Sequence, residues 1–211
     1  MMDAADDLDA DAALARAVAD EAGALLLDLR AKGLTGCGPR GDRAANDLIL
    51  ARLRAARPDD FILSEEAADD RSRCSARRVW IVDPLDGTRE FADGRDDWAV
   101  HVGLAIDGRP AAGAVALPAL GQSFDTGHPP APGDAPPGPP RILISRTRPP
   151  QLATQLASAL GGSLTEMGSA GAKAMAVVAG RADIYFHQGG QYEWDNCAPV
   201  AVALAAGFHA S

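Results

Sequence analysis

Two carboxylates, Asp83 and Asp86, stand three positions apart in the run Val-Trp-Ile-Val-Asp-Pro-Leu-Asp-Gly-Thr that spans residues 79–88. Four apolar residues lead into the first of them, the pattern of a short strand buried on both faces. Pro84 is expected to end that strand, because proline gives a sheet no donor and restricts the residue before it. Both carboxylates would then leave the carboxyl end of a core strand, where open α/β sheets place their ligands. Gly87 permits a tight turn, and Thr88 opens a polar, helix-compatible run whose first amides would lack partners within the helix. Such amides attract phosphate. Two carboxylates beside a phosphate repel it unless a cation lies between them. The chemistry these residues point to is a divalent metal holding a phosphate. Taken alone, the same string is also an ordinary strand-to-helix corner, since Asp-Pro and Asp-Gly are common turn pairs.

Other residues along the chain shift that balance. The apolar residues 61–63 run into Ser64, Glu65 and Glu66, two adjacent carboxylates at a second strand's end. If the two strands are neighbours, Glu65 and Asp83 can share a cation, while Glu66 points to a local partner. Asp42 follows a loop over residues 34–41 that contains Gly36, Gly38 and Gly41, and alone it reads as the N-cap of the next helix. Asp195, behind Trp194, reads as the cap of the last helix, with Pro199 in or near its first turn. Arg146 at a strand's end and Lys173 are candidates for touching an anion. His101 lies inside a strand run and is assigned no role, a lone strand histidine being more often a packed core residue.

The elements that must position these groups alternate. One long amphipathic helix covers residues 6–32, with Val18, Ala22, Leu25 and Leu29 at steps of four, three and four. A second carries Ala45, Leu48, Ile49, Leu53 and Ala56 on one face and ends at Pro58. Strands are expected over 99–106 and 111–117, joined by the Asp107-Gly108 turn. A Pro- and Gly-rich loop divides the chain at residues 128–140 into an N-terminal α+β half (1–127) and a C-terminal α/β half (141–211). The second half reads as strand 141–145, helix 149–160 with Pro149 or Pro150 in its first turn, strand 164–167, helix 170–179, strand 183–187 and a last helix closing near Gly207.

The totals exclude several classes. Of 211 residues, 47% are hydrophobic, enough for a sizeable core, and 20 Lys plus Arg face 29 Asp plus Glu. A formal charge of -9 argues against nucleic acid as a partner and suits a protein that gathers cations. Cys37, Cys74 and Cys197 lack disulfide or zinc spacing. The N-terminus is acidic, unlike a signal peptide, and no apolar run approaches the ~18 residues of a membrane span. A cytoplasmic protein with no membrane partner is expected.

Asp42, Ser64-Glu65-Glu66, Asp83 through Thr88, and Trp194-Asp195 with Ala198 stand in one order. That order resembles the inositol monophosphatase superfamily of lithium-sensitive, magnesium-dependent phosphatases, whose pattern is D…EE…DPxDGT…WDxxAA. Residues 83–91 (DPLDGTREF), Ile144-Ser145-Arg146 and Gly168-Ser169 with Lys173 most resemble its CysQ-type 3'(2'),5'-bisphosphate nucleotidases. The resemblance implies a layered αβαβα sandwich, of α/β (α+β) class. It implies that Glu65, Asp83 and the Leu85 carbonyl hold a first Mg²⁺, that Asp83, Asp86 and Asp195 hold a second, and that Glu65 and water hold a third near Asp42. Asp42, Glu65 and Thr88 are then the catalytic set, with Asp42 and Thr88 orienting an attacking water. The Gly87 and Thr88 amides bind the phosphate, with Arg146 and Lys173 toward the rest of the substrate. Metal-activated water would remove the 3'-phosphate of 3'-phosphoadenosine 5'-phosphate, and lithium would inhibit by replacing a Mg²⁺. Inositol 1-phosphate and fructose 1,6-bisphosphate are alternative substrates, because the metal motif is common to all three. A homodimer would be in keeping with relatives. Pro199 departs from the pattern. The chain stops at Ser211, where the family continues with further strand structure, so the sandwich is expected to lack it. A shortened relative that binds metal or nucleotide without turnover is the reading of another class.

Overall fold

The apolar run of residues 79–82 lies at the heart of a sheet. In this computed structural model, which describes residues 7–33, 38–132 and 137–211, the run belongs to β2 (Arg78–Asp86). β1 (Phe61–Ser64) pairs with it in parallel and β3 (Ala99–Ile106) antiparallel. β4 (Arg109–Leu117) and β5 (Gln122–Asp125) complete the order β1-β2-β3-β4-β5. The β3–β4 hairpin turns at Asp107 and Gly108, with φ of +50° and +73°, the left-handed pair that a two-residue turn requires. Sequence reading offered no strand over β5.

Side chains of β2 alternate between two layers. Trp80 and Val82 meet Val18, Ala22 and Leu26 of α1 (Leu8–Ala31) and Ile49 and Leu53 of α2 (Gly38–Ala56). Val79 and Ile81 face Cys197 of α6 (Glu193–Ala205). Farther along the same face, Val115 and Leu117 of β4 meet Met175 of α5 (Ala170–Val178) and Val202 of α6. Burial on both faces explains why the strand reads as a continuous apolar run. A second sheet, all parallel, has the order β7-β6-β8, with β6 (Arg141–Ser145) between β7 (Ser163–Met167) and β8 (Ile184–Tyr185). Leu143 packs on Ala176 of α5, while Ile142 and Ile144 pack on Ala153 and Ala157 of α4 (Ala153–Leu160). The layers are helix pair, five strands, helix pair, three strands, helix: the αβαβα sandwich.

Four local expectations change. Pro84 does not end its strand. Asp83 pairs with His101 and Asp86 with Ala99, so β2 carries one extra residue there, a bulge that absorbs the missing amide. Gly38 and Gly41 lie inside α2 rather than in a loop, and Asp42 is a buried interior residue rather than a cap. Residues 34–37 of that expected loop, Cys37 among them, lie outside the described residues. Pro149 and Pro150 precede α4, which starts at Ala153, and Pro199 sits within α6 beyond its first turn. Cys74 and Cys197 are free thiols. No helix among the described residues is long and apolar enough to cross a membrane.

Candidate functional site

The site forms where β1 and β2 end and α6 begins. Past Ser64 the chain stays against β2 through Glu65 N, which donates to Val82 O (3.3 Å), and this sets Glu65 beside Asp83. The bulge at Pro84 swings Asp86 back to the side of Asp83. Asp195, in the first turn of α6, accepts from Tyr192 N (2.7 Å) and so caps the helix from inside rather than ahead of it. One carboxylate oxygen from each of Asp83, Asp86 and Asp195 can be chosen so that all lie within 4.8 Å of one another. Asp83 is held well above the usual carboxylate range by burial and then by the charges of Asp86 and Glu65. Burial also raises Glu65, although its outer side is exposed to solvent, and it raises Asp195. Acids pressed together at such a cost to ionisation fit a divalent cation, and an all-oxygen donor set is what hard ions such as Mg²⁺ take.

Asp42 and Thr88 stand beside this cluster. Thr88 heads α3 (Thr88–Ala92), and its Oγ1 lies 3.3 Å from Asp42 Oδ2 and 3.1 Å from Leu85 O. α2 comes close enough for this because Gly38 has no side chain: a Cβ there would stand 2.5 Å from Thr88 Cγ2. Burial, then the charges of Glu66 and Glu65, push Asp42 up to about 7. Its Oδ1 is buried without a partner among the described residues. The amides of Gly87 and Thr88 begin α3 and so have no partner within it. Gly87 turns with φ +93°.

A cleft of about 840 Å³ opens from these groups toward the second sheet, reaching Arg148, Lys173, Tyr185 and Gln191. That volume suits a nucleotide-sized ligand. Arg146 and Lys173 are not free charges. Arg146 Nη2 donates to Glu90 Oε1 (2.6 Å), bridging α3 to the end of β6. Lys173 is buried, and Nζ donates to the carbonyls of Gly168 (3.0 Å) and Ser169 (2.5 Å), with Met167 O at 3.4 Å. Burial lowers its pKa from the usual lysine range.

Sequence reading passed over the surroundings of Asp86. Its Oδ2 accepts from Ser169 Oγ (2.5 Å) and Gly171 N (2.8 Å), and His101 Nε2 lies 3.2 Å away. That contact falls short of hydrogen-bond geometry, so it is electrostatic more than directional. Burial opposes ionisation of Asp86, yet His101, Ser169 and Gly171 hold it at about 2. Burial would lower His101 as well, but Asp86 and the Trp194 carbonyl raise it. The sequence signal for Ser169 was its place in the Gly168-Ser169 element. For His101 there was none beyond its type.

Comparison with known proteins follows the same lines. Residues 39–128 and 141–209 match the inositol monophosphatase family. The chain is 51% identical over 218 residues to the 3'-phosphoadenosine 5'-phosphate phosphatase of Mycobacterium leprae, covering 95% of this chain and 80% of that one. It is 33% identical to the 3'(2'),5'-bisphosphate nucleotidase CysQ of Salmonella typhimurium, over 80% of this chain and 73% of the relative. Among solved structures, CysQ from Bacteroides thetaiotaomicron superposes with a TM-score of 0.80 at 25% identity, covering 95% of this chain and 88% of that one.

Proposed function

Since the chain belongs to the inositol monophosphatase family, we propose that it is a metal-dependent phosphomonoesterase that removes the 3'-phosphate of 3'-phosphoadenosine 5'-phosphate. One observation carries the chemistry: the Asp83, Asp86 and Asp195 carboxylates converge beside the Thr88–Asp42 pair at the mouth of a nucleotide-sized cleft. The substrate class is supported by the names of relatives 51% and 33% identical to it. Glu65, Asp83, the Leu85 carbonyl, Asp86 and Asp195 would hold two or three Mg²⁺ ions. When bound, such ions neutralise phosphate charge and acidify a water nucleophile.

The chain's own residues supply the rest. Asp42, poised at about 7 with a buried unpartnered oxygen, is suited to accept a proton from a water held between it and Thr88 near neutral pH. Thr88 has one hydroxyl proton and two acceptors in reach, Asp42 and Leu85 O, so it can orient that water with its own lone pair. The amides of Gly87 and Thr88 receive the phosphate oxygens as charge develops. Water oxygen bonds to phosphorus as its proton passes to Asp42, the bond to the ribose 3'-oxygen breaks, and that oxygen takes a proton from solvent water in the open cleft. Buried Lys173 holds the carbonyls of the loop that delivers the Ser169 hydroxyl to Asp86, and Arg146 holds α3 to the second sheet through Glu90.

The test is phosphate release from 3'-phosphoadenosine 5'-phosphate, inositol 1-phosphate and fructose 1,6-bisphosphate, side by side. Each is run with Mg²⁺, with Mg²⁺ plus Li⁺, and with chelator. Mg²⁺-dependent, lithium-sensitive release mainly from the nucleotide is the expected result. Preference for another ester refutes the substrate, and no release from any of them by folded protein refutes the enzyme.

A further inference from the structure

We propose that His101 is a positioning residue for the metal-binding carboxylates: one imidazole ties the strand end that carries Asp86 to the helix start that carries Asp195, and so fixes their spacing. The inference rests on the metal reading of those two residues.

His101 sits on β3, opposite Asp83 in the register, on the face turned toward α6. It is fully buried. Its Nδ1 lies 3.0 Å from the carbonyl of Trp194, the residue before Asp195. A carbonyl only accepts, so Nδ1 carries a proton, and the carboxylate beside Nε2, also an acceptor, favours a second proton there. Its other nitrogen, Nε2, lies 3.2 Å from Asp86 Oδ2. The ring fills a space that nothing else can share, since a Cβ on Gly171 would stand 2.0 Å from Nε2. Ser169 and Gly171 also serve that Asp86 oxygen from the start of α5. Of these three groups, His101 is the one with a hydrogen bond to the start of α6.

The arrangement has a physical purpose. Asp86 and Asp195 come from elements more than a hundred residues apart in sequence, and their charges repel. An ion can draw them together only by ordering whatever has drifted apart, and that ordering weakens its binding. A buried ring with one nitrogen on each element removes the freedom in advance. Supporting groups of this kind are typically worth 10- to 100-fold in metal affinity. A histidine that merely packs the core would change stability instead, with metal affinity untouched.

The experiment uses the full chain and Mn²⁺ as probe, with free Mn²⁺ followed by electron paramagnetic resonance and folding by urea titration without metal. His101→Asn places an amide nitrogen near the position of Nδ1, keeping the Trp194 bond and abandoning Asp86. His101→Leu abandons both. Gly171→Ala leaves the histidine in the chain but drives its ring away. His101→Asn and Gly171→Ala are expected to raise the Mn²⁺ Kd about tenfold or more, and His101→Leu at least as much. His101→Asn or Gly171→Ala, folded cooperatively and binding Mn²⁺ within about threefold of wild type, overturns the proposal, and either variant decides if the other does not fold. Asp83→Asn separates the two readings. If it binds Mn²⁺ like wild type, the metal site itself is misassigned. If it loses binding while His101→Asn keeps it, only the role of His101 fails.

Discussion

Asp42→Asn should make the metal-free protein more stable while disabling it. In the folded chain Asp42 is pushed from 3.8 up to about 7, by burial first and by Glu66 and Glu65 next. Between those two values the folded state holds a proton that the unfolded state has released. Stability therefore falls as pH rises through this window, and the loss is complete above the folded value. A displacement of about three pH units at about 1.4 kcal/mol each puts the cost near 4 kcal/mol at pH 8. At pH 5 the same relation leaves less than about 2 kcal/mol. Asparagine has nearly the same shape, can still accept from Thr88, and carries no charge to desolvate. In chelator, urea titrations at pH 8 should show Asp42→Asn more stable than wild type by about 2–4 kcal/mol, the lower figure allowing for the solvent that reaches the group. At pH 5 the gain should shrink to about half or less. Turnover with Mg²⁺ should fall about a hundredfold or more, the usual contribution of a positioned base. A variant no more stable than wild type at pH 8, or a gain that grows on acidification, refutes the argument, because only an ionised and poorly solvated Asp42 produces this pH dependence.

Three further perturbations follow from the same geometry. Asp83→Asn should abolish Mg²⁺-dependent phosphate release and the rise in Tm that Mg²⁺ gives wild type, and a retained rise in calorimetry would contradict the ligand assignment. Gly38→Ala puts a methyl group 2.5 Å from Thr88 Cγ2. It should destabilise by about 1–3 kcal/mol in urea titration despite alanine's better helix propensity, and lower kcat more than it raises KM. Lys173→Met removes a buried ammonium that holds loop carbonyls. It should reduce kcat/KM about equally for the nucleotide and for a generic phosphate ester, whereas a loss confined to the nucleotide would mean that Lys173 reads the substrate directly.

Much of this is legible in the amino-acid sequence itself. A strand buried on both faces must be apolar throughout, so residues 79–82 announced themselves, and the acids after them could be placed at a strand's end. The hairpin at Asp107-Gly108 was legible because two adjacent left-handed residues have few sequence solutions. Asp42 was harder. Gly36, Gly38 and Gly41 look like a loop, so the aspartate after them looks like a cap. In the fold, Gly38 and Gly41 are helical residues whose missing side chains let α2 approach Thr88, Leu26 and Phe91. Glycine relaxes the backbone and admits close neighbours, and sequence alone does not say which use is made of it. Arg146 and Lys173 are legible as cations, but their contacts within the protein are not, because Glu90 and the carbonyls of residues 167–169 come together only when the second sheet packs against the first half.

The bulge at Pro84 ties these points together. In a regular strand, residues three apart face opposite sides, so Asp83 and Asp86 would be separated by the thickness of the sheet. Asp83 on the α6 face would then lose Asp86 as a neighbour, and Asp86 would point into the layer of Trp80 and Val82. One extra residue reverses the phase. The register runs from Asp83 opposite His101 to Asp86 opposite Ala99, three steps on β2 against two on β3, and both carboxylates end on the side where α6 delivers Asp195. His101 and Ala99 project from β3 on that same face, which is how a strand histidine with no sequence signal comes to lie against Asp86. Proline is the residue that makes the bulge cheap, since the amide a bulge would strand is one it does not have. The Asp-Pro-Leu-Asp spacing therefore encodes a reversal of strand phase, and the shared position of the two carboxylates depends on it.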